Sequence, residues 1–432
     1  MSEASDTRRR ALLRRMFDAA VAAAHPATCL PPHLPAVPRD GRLIVVGAGK
    51  AGAAMAVAAG EHYGRSADAA RVSGSVVTRH GFALPASMIA IAEAGHPVPD
   101  DASVAAARHA LDLAGQAGEH DLVLCLLSGG ASALWSAPVA GVSLAAKQAL
   151  TRALLRAGAR ISEINTVRRH ISAIKGGRLA AAAHPAVLVT LAISDVPGDA
   201  PSVIGSGPTV ADASTLADAR DVLARFNIAP PPEIAAALAD PANETVKPGS
   251  ATLANTRYAL IATPRASIEA GAALARAAGY EVEMLGDALE GEAREVAAAH
   301  AALALDAQRQ GRRVAILSGG ELTVTVTGQG AGGPNQEYAL GLVAALAGAA
   351  GISALAADTD GIDGGAGSAA DPAGALLGED SLARAKGLGL DPATFLANND
   401  STAFFEQLGD LVRSGPTQTN VNDFRAILID PQ

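Results

Sequence analysis

The sequence predicts an α/β protein of two domains, each built on a β-sheet that helices cover. Short apolar segments alternate with Ala-rich helical segments along the 432 residues, and this alternation favours mostly parallel sheets. The length exceeds that of one ordinary domain, about 100–200 residues. Hydrophobic residues make up 49% of the chain and aromatic residues only 3%, so Ala, Val, Leu and Ile must fill the cores.

The N-terminal domain is predicted to span residues 8–245 and to contain a Rossmann-like, mostly parallel sheet. An amphipathic helix over residues 8–24 precedes the sheet, and its basic cluster is interpreted as a solvent-exposed helix face. Strands are predicted at residues 43–46, 72–78, 88–92, 122–127 and 187–193. Helices are predicted between them at residues 51–62, 102–115 and 144–158.

The C-terminal domain is predicted to span residues 250–430, after a polar segment with two prolines that is interpreted as a linker. Strands are predicted at residues 258–262, 281–285, 314–317, 322–326, 353–356 and 426–429, and helices at 265–278, 289–309 and 335–348. Residues 322–326 alternate strictly between apolar and polar, which predicts an antiparallel hairpin and therefore a mixed sheet. The two domains are expected to enclose a cleft.

Composition argues against several classes of function. The net charge of −9 and the scarcity of aromatic residues do not favour binding of nucleic acid. The sequence contains no stretch of about 18 apolar residues, so no membrane span is predicted. The two cysteines, Cys29 and Cys125, suggest neither a disulfide framework nor a zinc site, which fits a reducing compartment and predicts a cytoplasmic protein.

Two apolar, strand-like runs end in Ser-Gly-Gly, one in each half of the chain. These segments are Ser128, Gly129 and Gly130 in the first half and Ser318, Gly319 and Gly320 in the second. Because glycine lacks a Cβ atom, an anion can approach the N–H groups of such a turn closely. Each copy is therefore a candidate anion site, although a simple tight turn explains either one equally well.

A third glycine-rich loop follows the first predicted strand and precedes a helix. Gly47, Gly49 and Gly52 have the G-x-G-x-x-G spacing of dinucleotide-binding proteins. That fingerprint also requires an acidic residue at the end of the next strand, but Arg79 stands there. Lys50 is predicted at a helix N-terminus among bare backbone amides, which suits a phosphate or a carboxylate; the alternative is a solvated lysine.

A basic segment lies between residues 163 and 178. Arg168, Ser172 and Lys175 are spaced i, i+4 and i+7, so they could share one helix face. Together with Arg178, such a face is suited to gripping an anionic small molecule. An exposed basic helix is the alternative that spacing leaves open.

Candidate metal ligands and caps follow three other predicted elements. Asp195 follows a strand and could hold a metal ion or accept a proton, or merely bond to nearby N–H groups. Asn335 is placed to cap a helix. Asp358, Asp360 and Asp363 lie within six residues at a strand end, which suggests a divalent cation such as Mg²⁺.

Several motifs in the same order resemble those of the glycerate 2-kinases, whose members are often provisionally named hydroxypyruvate reductases. In the N-terminal half, the motifs lie at residues 46–51, 93–100, 127–133, 175–179 and 194–199. In the C-terminal half, residues 318–321, 332–337 and 358–361 resemble the family's MOFRL domain. Residues 419–427 depart from that domain's naming signature at both ends. The resemblance covers about residues 8–430.

The resemblance implies a kinase that transfers the γ-phosphoryl group of ATP to the 2-hydroxyl of D-glycerate, with Mg²⁺, in the cleft between the domains. Lys50 and Asp195 would be catalytic, and Asp195 and Asp360 would hold the metal. The residues expected to bind substrate or phosphate are Gly49, Ser128, Gly129, Gly130, Lys175 and Arg178. The residues expected to bind nucleotide or to complete the site are Ser318, Gly319, Asn335 and Glu337.

Two other functions fit parts of the sequence. An NAD(P)H-dependent hydroxypyruvate reductase is motivated by the glycine spacing around Lys50. A non-catalytic sensor that binds a sugar phosphate is motivated by the candidate anion sites. No nucleic-acid or membrane partner is expected, and the choice between monomer and homodimer stays open.

Overall fold

The structure, a computed structural model, describes residues 3–86, 88–365 and 367–431. The chain forms two compact units. The N-terminal unit comprises residues 26–261, and the C-terminal unit combines the residues up to His25 with those from Ala262 onward. The two sheets confirm the predicted α/β class. No helix within the described ranges is long and apolar enough to cross a membrane.

The secondary structure follows the predicted alternation of strands and helices. The strands are β1 (Leu43–Ala48), β2 (Val72–Arg79), β3 (Ala90–Ala94), β4 (Leu122–Leu127), β5 (Val187–Ile193), β6 (Thr256–Ala262), β7 (Glu281–Leu289), β8 (Val314–Gly320), β9 (Ile352–Asp358), β10 (Gly374–Leu377), β11 (Leu411–Val412) and β12 (Asp423–Ile429). The α-helices are α1 (Glu3–Ala24), α2 (Pro26–Cys29), α3 (Gly52–Gly64), α4 (Asp101–Gly115), α5 (Ala131–Leu134), α6 (Leu144–Arg156), α7 (Ile161–His170), α8 (Arg178–Ala183), α9 (Leu216–Arg225), α10 (Pro232–Ala239), α11 (Pro264–Ala277), α12 (Ala293–Arg309), α13 (Pro334–Leu346), α14 (Ser381–Gly387), α15 (Pro392–Ala397) and α16 (Ser401–Leu408). Short 3₁₀ helices lie at Pro31–His33, Ala69–Arg71, Pro197–Asp199, Ile204–Ser206, Pro241–Asn243 and Ala251–Leu253.

The sheet of the N-terminal unit runs in the order β3-β2-β1-β4-β5-β6. The pairings from β3 through β5 are all parallel. Every residue of β1 and β4 is buried, as expected for the central strands of a sheet with helices on both faces. The five strands predicted in this half are confirmed within two residues at each end.

The polar segment at residues 240–250 lies within the N-terminal unit, although its composition predicts a linker. The N–H of Val246 donates to Gly176 O at 3.0 Å, and Val246 O accepts from the N–H of Asp212 at 2.8 Å. A Cβ atom on Gly176 would lie 2.7 Å from Thr245. These main-chain bonds anchor the segment, so the compact units divide near residue 261 rather than between residues 245 and 250.

The sheet of the C-terminal unit runs in the order β11-β10-β9-β12-β8-β7. β7 and β8 are parallel, whereas β12 pairs antiparallel with both β8 and β9. β10 pairs antiparallel with β9 and β11. The predicted mixed sheet is confirmed, but the antiparallel strands come from the end of the chain and not from a hairpin after β8.

The predicted hairpin strand at residues 322–326 is wrong. Both edges of β8 are already paired, with β7 and with β12, so a hairpin partner has no edge to join. The segment is held instead by main-chain bonds of Thr323 to residues 291 and 293 and by side chains. The N–H of Thr325 donates to Glu292 at 3.1 Å, and that of Thr327 donates to Asn399 at 2.8 Å. Leu322 is buried and Val324 packs against the same core, whereas Val326 is 73% exposed, so only part of the alternating pattern faces a core.

The first helix, α1, packs within the C-terminal unit. Phe17 is buried in the same core as residues of α11 and β12. The predicted exposed basic face is wrong for Arg9, which is buried. Its guanidinium pairs with the carboxylates of Asp6, Glu379 and Asp430, because a buried charge requires such partners.

Candidate functional site

The candidate site lies at the carboxyl-terminal edge of the sheet in the N-terminal unit. The strand order reverses there between β1 and β4, and ligands of open α/β sheets bind beside such a reversal. The ends of β1, β4 and β5 are in register. The loops that follow these strands contain Lys50, Ser128 and Asp195, so the sheet brings three predicted site residues to one edge.

Main-chain bonds join the loop after β1 to the loop after β4. The N–H of Lys50 donates to Gly129 O at 2.7 Å, and the N–H of Ala51 donates to Ser128 Oγ at 3.0 Å. Gly49 has a φ of +146°, and a Cβ atom there would lie 2.0 Å from Ser128 Oγ. Only glycine fits this approach, and the main chain at Lys50 is held by both loops.

The amides of the first loop are occupied, contrary to the prediction that they are bare. The N–H groups of Gly49 and Gly52 donate to main-chain carbonyls at 3.1 and 2.9 Å, so all four N–H groups from Gly49 to Gly52 are bonded. In the second loop, the N–H groups of Gly129 and Gly130 donate no hydrogen bond to a main-chain carbonyl of the described residues. The predicted anion site therefore reduces to the Lys50 side chain and these two amides.

Gly130 is closely surrounded by side chains. It has a φ of +83°, and a Cβ atom there would lie 2.9 Å from two ring atoms of His96 and 3.4 Å from Lys50 Cγ. A larger residue at this position would displace both side chains. Glycine is thus required here by the close approach as well as by the backbone.

A cavity of about 460 Å³ adjoins Gly130. Its lining includes the cationic residues Lys147, Arg152 and Arg168, and no acidic residue belongs to the described lining. The other lining residues are His96, Pro97, Val98, Pro99, Ser132, Ala133, Ser136, Gln148, Thr151 and Leu155. We call this space the cationic cavity. In a protein with a net charge of −9, such a lining is suited to an anionic ligand.

Lys147 is buried in the wall of the cationic cavity. Its side chain lies on α6 and is 4% exposed, and its Nζ has no hydrogen-bond partner in the described part of the chain. Burial, and then the positive charge of Arg168, lower the pKa of Lys147 to about 7. A buried ammonium group without an acceptor is unfavourable, and an anion in the cavity would supply one.

Arg168 and Lys175 meet at Ser132. Arg168 Nη1 donates to Ser132 Oγ at 3.3 Å, and Lys175 Nζ donates to Ser132 O at 2.9 Å. The predicted shared helix face is wrong, because α7 ends at His170 and Ser172 and Lys175 lie beyond it. The tertiary structure nevertheless brings the two cations together. Burial, then the nearby Lys147 and Arg168, lower the pKa of Lys175 well below its usual value.

Arg178 donates mainly to the main chain and does not line the cationic cavity. Its guanidinium donates to Arg169 O at 3.1 Å and to Asn243 O at 2.5 Å. The first bond connects α8 to α7, and the second connects it to the segment at residues 240–250. A role of Arg178 in binding substrate or phosphate stays a prediction.

Asp195 and Asp199 lie in the loop that follows β5. Asp195 is half-buried, and Asp199 Oδ1 is buried without a hydrogen-bond partner among the described residues. Within the same part of the chain, no group of three or more His, Cys, Asp or Glu residues is arranged to hold a metal ion. Mg²⁺ is commonly bound by one or two carboxylates together with water and phosphate oxygens, and these two side chains are of the chemical type that such a site requires.

The second Ser-Gly-Gly segment is not a turn, contrary to the prediction. Ser318, Gly319 and Gly320 are the last residues of β8. Ser318 Oγ accepts from Arg425 Nε at 3.2 Å, and Gly319 O accepts from the same guanidinium. These groups already have protein partners, and a nucleotide-binding role for Ser318 and Gly319 stays a prediction.

Asn335 and Asp363 form a buried polar network in the C-terminal unit. The Asp363 carboxylate accepts the main-chain N–H groups of Asn335 and Gln336 at 3.0 and 2.9 Å. It therefore caps α13, whose N-cap residue is Gly333. Asn335, predicted as that cap, donates its side-chain amide to Asp363 and Asp423. Burial raises the pKa of Asp363 to about 7, although the donated N–H groups oppose this effect.

Glu337 and Asp360 also have protein partners. Glu337 is buried and pairs with Arg294, and burial raises the pKa of Glu337. The Asp360 carboxylate accepts the N–H of Ile362 at 2.9 Å. Because the Asp363 carboxylate caps α13, the loop carboxylates do not form a metal cluster in the described ranges. Metal binding by Asp360 stays a prediction.

Several residues of the site are not predicted from the sequence, among them Ser132, Lys147, Arg152 and Asp199. A signal existed for Lys147, since Lys147 and Thr151 are spaced i and i+4 on α6 and therefore lie on one face. No local signal existed for Ser132, whose importance depends on two side chains from distant segments.

Two family models match the chain. Residues 12–239 match a domain of unknown function, DUF4147, and residues 314–423 match the MOFRL family. A protein of Agrobacterium vitis, provisionally named hydroxypyruvate reductase, is 52% identical over 98% of this chain and 95% of its own length.

Relatives named as kinases cover most of the chain as well. The D-glycerate 2-kinase of Thermotoga maritima is 41% identical over 88% of this chain and 89% of its own. The glycerate 2-kinase of Pyrococcus horikoshii is 38% identical over 81% of this chain and 80% of its own. A crystal structure of glycerate kinase from Thermotoga maritima matches with a TM-score of 0.87 at 38% identity and covers 97% of this chain and 99% of that one.

Proposed function

Because this chain belongs to the family that combines a DUF4147 domain with a MOFRL domain and includes glycerate kinases, we propose that it is a glycerate 2-kinase. Such an enzyme transfers a phosphoryl group to the 2-hydroxyl of glycerate. The proposal includes ATP as the donor, Mg²⁺ as the metal, D-glycerate as the acceptor and a cytoplasmic location.

The cationic cavity is the observation that carries this proposal. Phosphoryl transfer requires positioning and neutralisation of negative charge more than covalent chemistry. The cavity supplies Lys147, Arg152 and Arg168 without an acidic residue in its described lining. It adjoins Gly130, which in turn lies beside Lys50. Both reactants of a glycerate kinase are anions, and such a site attracts both.

Within this site, each residue has a proposed role. Lys50 stabilises negative charge on the transferring phosphoryl group, and the main-chain N–H groups of Gly129 and Gly130 donate to an anion beside it. Asp195 and Asp199 would hold Mg²⁺, which neutralises charge on phosphate oxygens when bound. The Asp195 carboxylate would also orient the attacking hydroxyl.

The predicted contribution of the C-terminal half is less well supported. Ser318, Asn335 and Glu337 are buried and bonded to other protein groups. Their participation in nucleotide binding and a catalytic cleft between the domains stay predictions. The proposal of kinase activity depends on the N-terminal unit alone.

A hydroxypyruvate reductase is the second candidate, because the strand order matches that of dinucleotide-binding folds. The provisional name of the Agrobacterium vitis relative agrees with it. However, β2 ends at Arg79, where an acidic residue would bind the ribose of NAD. All four amides from Gly49 to Gly52 are also bonded within the protein, so this loop offers none to a pyrophosphate.

The two functions are separated by incubating the purified protein with D-glycerate and either Mg²⁺-ATP or NAD(P)⁺. We expect release of ADP, and phosphorus NMR of the product should show a phosphate on the 2-hydroxyl. A change in nicotinamide absorbance without release of ADP would establish the reductase instead. The Lys50→Ala variant, purified identically, controls for contaminating kinases.

A further inference from the structure

We propose that the cationic cavity binds the nucleotide, with its phosphates at Lys147 and Arg168 and its base between Val98 and Leu155. This inference rests on the proposed kinase activity, which requires a nucleoside triphosphate. It assigns the nucleotide to the N-terminal unit, whereas the sequence predicts a nucleotide site at Ser318 and nearby residues of the other half.

The size of the cavity favours a nucleotide over glycerate. Its volume of about 460 Å³ lies within the range of pockets that hold drug-sized ligands, about 300–1,000 Å³. A three-carbon acid would leave most of this space filled by water. A nucleoside with two or three phosphates is of the size that such pockets accommodate.

The charges of the inner wall favour a polyphosphate over a single carboxylate. The Nζ atom of Lys147 is buried and has no acceptor among the described residues, and Arg168 lies close enough to lower its pKa. Lys175 adds a third basic group behind Ser132. One carboxylate could neutralise one of these groups, whereas the phosphates of a nucleotide carry several negative charges and many acceptor oxygens.

The outer part of the cavity is apolar and exposed. Val98 is 62% exposed and Leu155 is 59% exposed, although both line the same cavity. Exposed apolar residues grouped around a pocket indicate a ligand contact. Gln148 donates its side-chain amide to Pro99 O at 2.6 Å, and this bond connects α6, which carries Leu155, to the segment of Val98. A flat purine base would pack between these aliphatic side chains.

The residues predicted to bind nucleotide in the C-terminal unit fit it less well. Ser318 and Glu337 are 2% and 1% exposed, and both are bonded to arginine side chains of the same unit. A nucleotide would have to displace those bonds. The cationic cavity requires no such displacement at Lys147.

The test measures binding of ADP to the full chain by isothermal titration calorimetry, together with steady-state kinetics. Leu155→Asp should raise the Kd for ADP and the KM for ATP by about tenfold or more, because it places a negative charge and removes apolar contact beside the base. The KM for glycerate should stay within about twofold. Leu155→Met, which keeps the apolar surface, should bind ADP like the wild type.

Ile161→Asp is the matched control, since Ile161 is 60% exposed in the same unit and does not line the cavity. This control variant should leave the Kd for ADP and the KM for ATP unchanged. Circular dichroism verifies that each variant is folded. Val98→Asp tests the opposite wall and should weaken ADP binding in the same way as Leu155→Asp.

The inference is overturned if the protein is an active kinase and its affinity for ADP is unchanged in Leu155→Asp, Val98→Asp and Lys147→Met. That result would leave the proposed function intact. A rise in the KM for glycerate alone would overturn the inference too, because the cavity would then hold the acid. A wild-type protein that binds ADP through Leu155 but does not phosphorylate glycerate would support the nucleotide site and refute the proposed activity.

Discussion

The hydroxyl oxygen of Ser128 lies 3.0 Å from the main-chain nitrogen of Ala51 and accepts its hydrogen bond. Both residues are fully buried, so water cannot replace this hydroxyl. The bond joins the loops after β4 and β1 at the point where the strand order reverses. The position of Lys50, next to Ala51, thus depends on a side chain from another segment of the chain.

Removal of that hydroxyl in Ser128→Ala should lower the free energy of unfolding by about 1–3 kcal/mol, because a buried N–H loses its acceptor. It should also reduce turnover, since Lys50 is less firmly held. Urea denaturation and steady-state kinetics measure the two effects. Ser66→Ala, which removes an exposed turn hydroxyl, should change stability by less than about 0.5 kcal/mol. Equal stabilities of the two variants would contradict the role of Ser128.

Lys50→Ala should reduce kcat by about 10²–10³-fold with both substrates saturating, because one group that stabilises transition-state charge is lost. Thermal unfolding should change little, since the bonds that hold this loop are donated by its main-chain N–H groups. Lys386→Ala is the control, as Lys386 is exposed on α14. Turnover close to that of the wild type in Lys50→Ala would exclude Lys50 from the chemistry.

Lys147→Met should change the pH dependence of stability. The pKa of Lys147 falls from 10.5 to about 7 on burial, so the unfolded chain binds more protons than the folded chain between these values. The wild type therefore gains stability as the pH rises through this window. Below about pH 7 the variant should be the more stable protein, because the wild type then buries an unpaired charge.

Urea unfolding of both proteins at several pH values measures this effect. The stability advantage of Lys147→Met should shrink as the pH rises above about 7. Lys175 is present in both proteins, but the charge of Lys147 also lowers the pKa of Lys175, so the measured difference includes the coupling between the two amines. A stability difference that does not vary with pH would contradict the buried, unpartnered state of this amine.

Asp363→Ala should destabilise the protein by more than removal of an ordinary helix cap. Two buried main-chain N–H groups of α13 would lose their acceptor, at about 1–3 kcal/mol each. Asp391→Ala removes the exposed cap of α15 and should cost about 0.5–2 kcal/mol. Chemical denaturation compares the two variants, and a smaller loss for Asp363→Ala would show that it does not cap α13.

Prediction from the sequence succeeded where the pattern is local. The strands of the N-terminal unit are continuous apolar runs. Because neighbouring strands are parallel, the residues that follow them lie at the same edge of the sheet. The position of Lys50, Ser128 and Asp195 directly after predicted strands could therefore be read from the sequence, whereas their grouping into one site came from the resemblance to the glycerate 2-kinases. Prediction failed at residues 322–326, where local alternation is compatible with a strand but β8 has no edge left to pair with.

The sequence by itself determined the fold class and the position of Lys50 between a strand and a helix, because periodicity is a local property. Only the tertiary structure decided that Arg168 and Lys175 meet at Ser132, that Lys147 is buried without an acceptor, and that Asp363 caps α13. These relationships join segments far apart in the chain. Their energies come from burial and hydrogen bonding across the fold, which no local pattern contains.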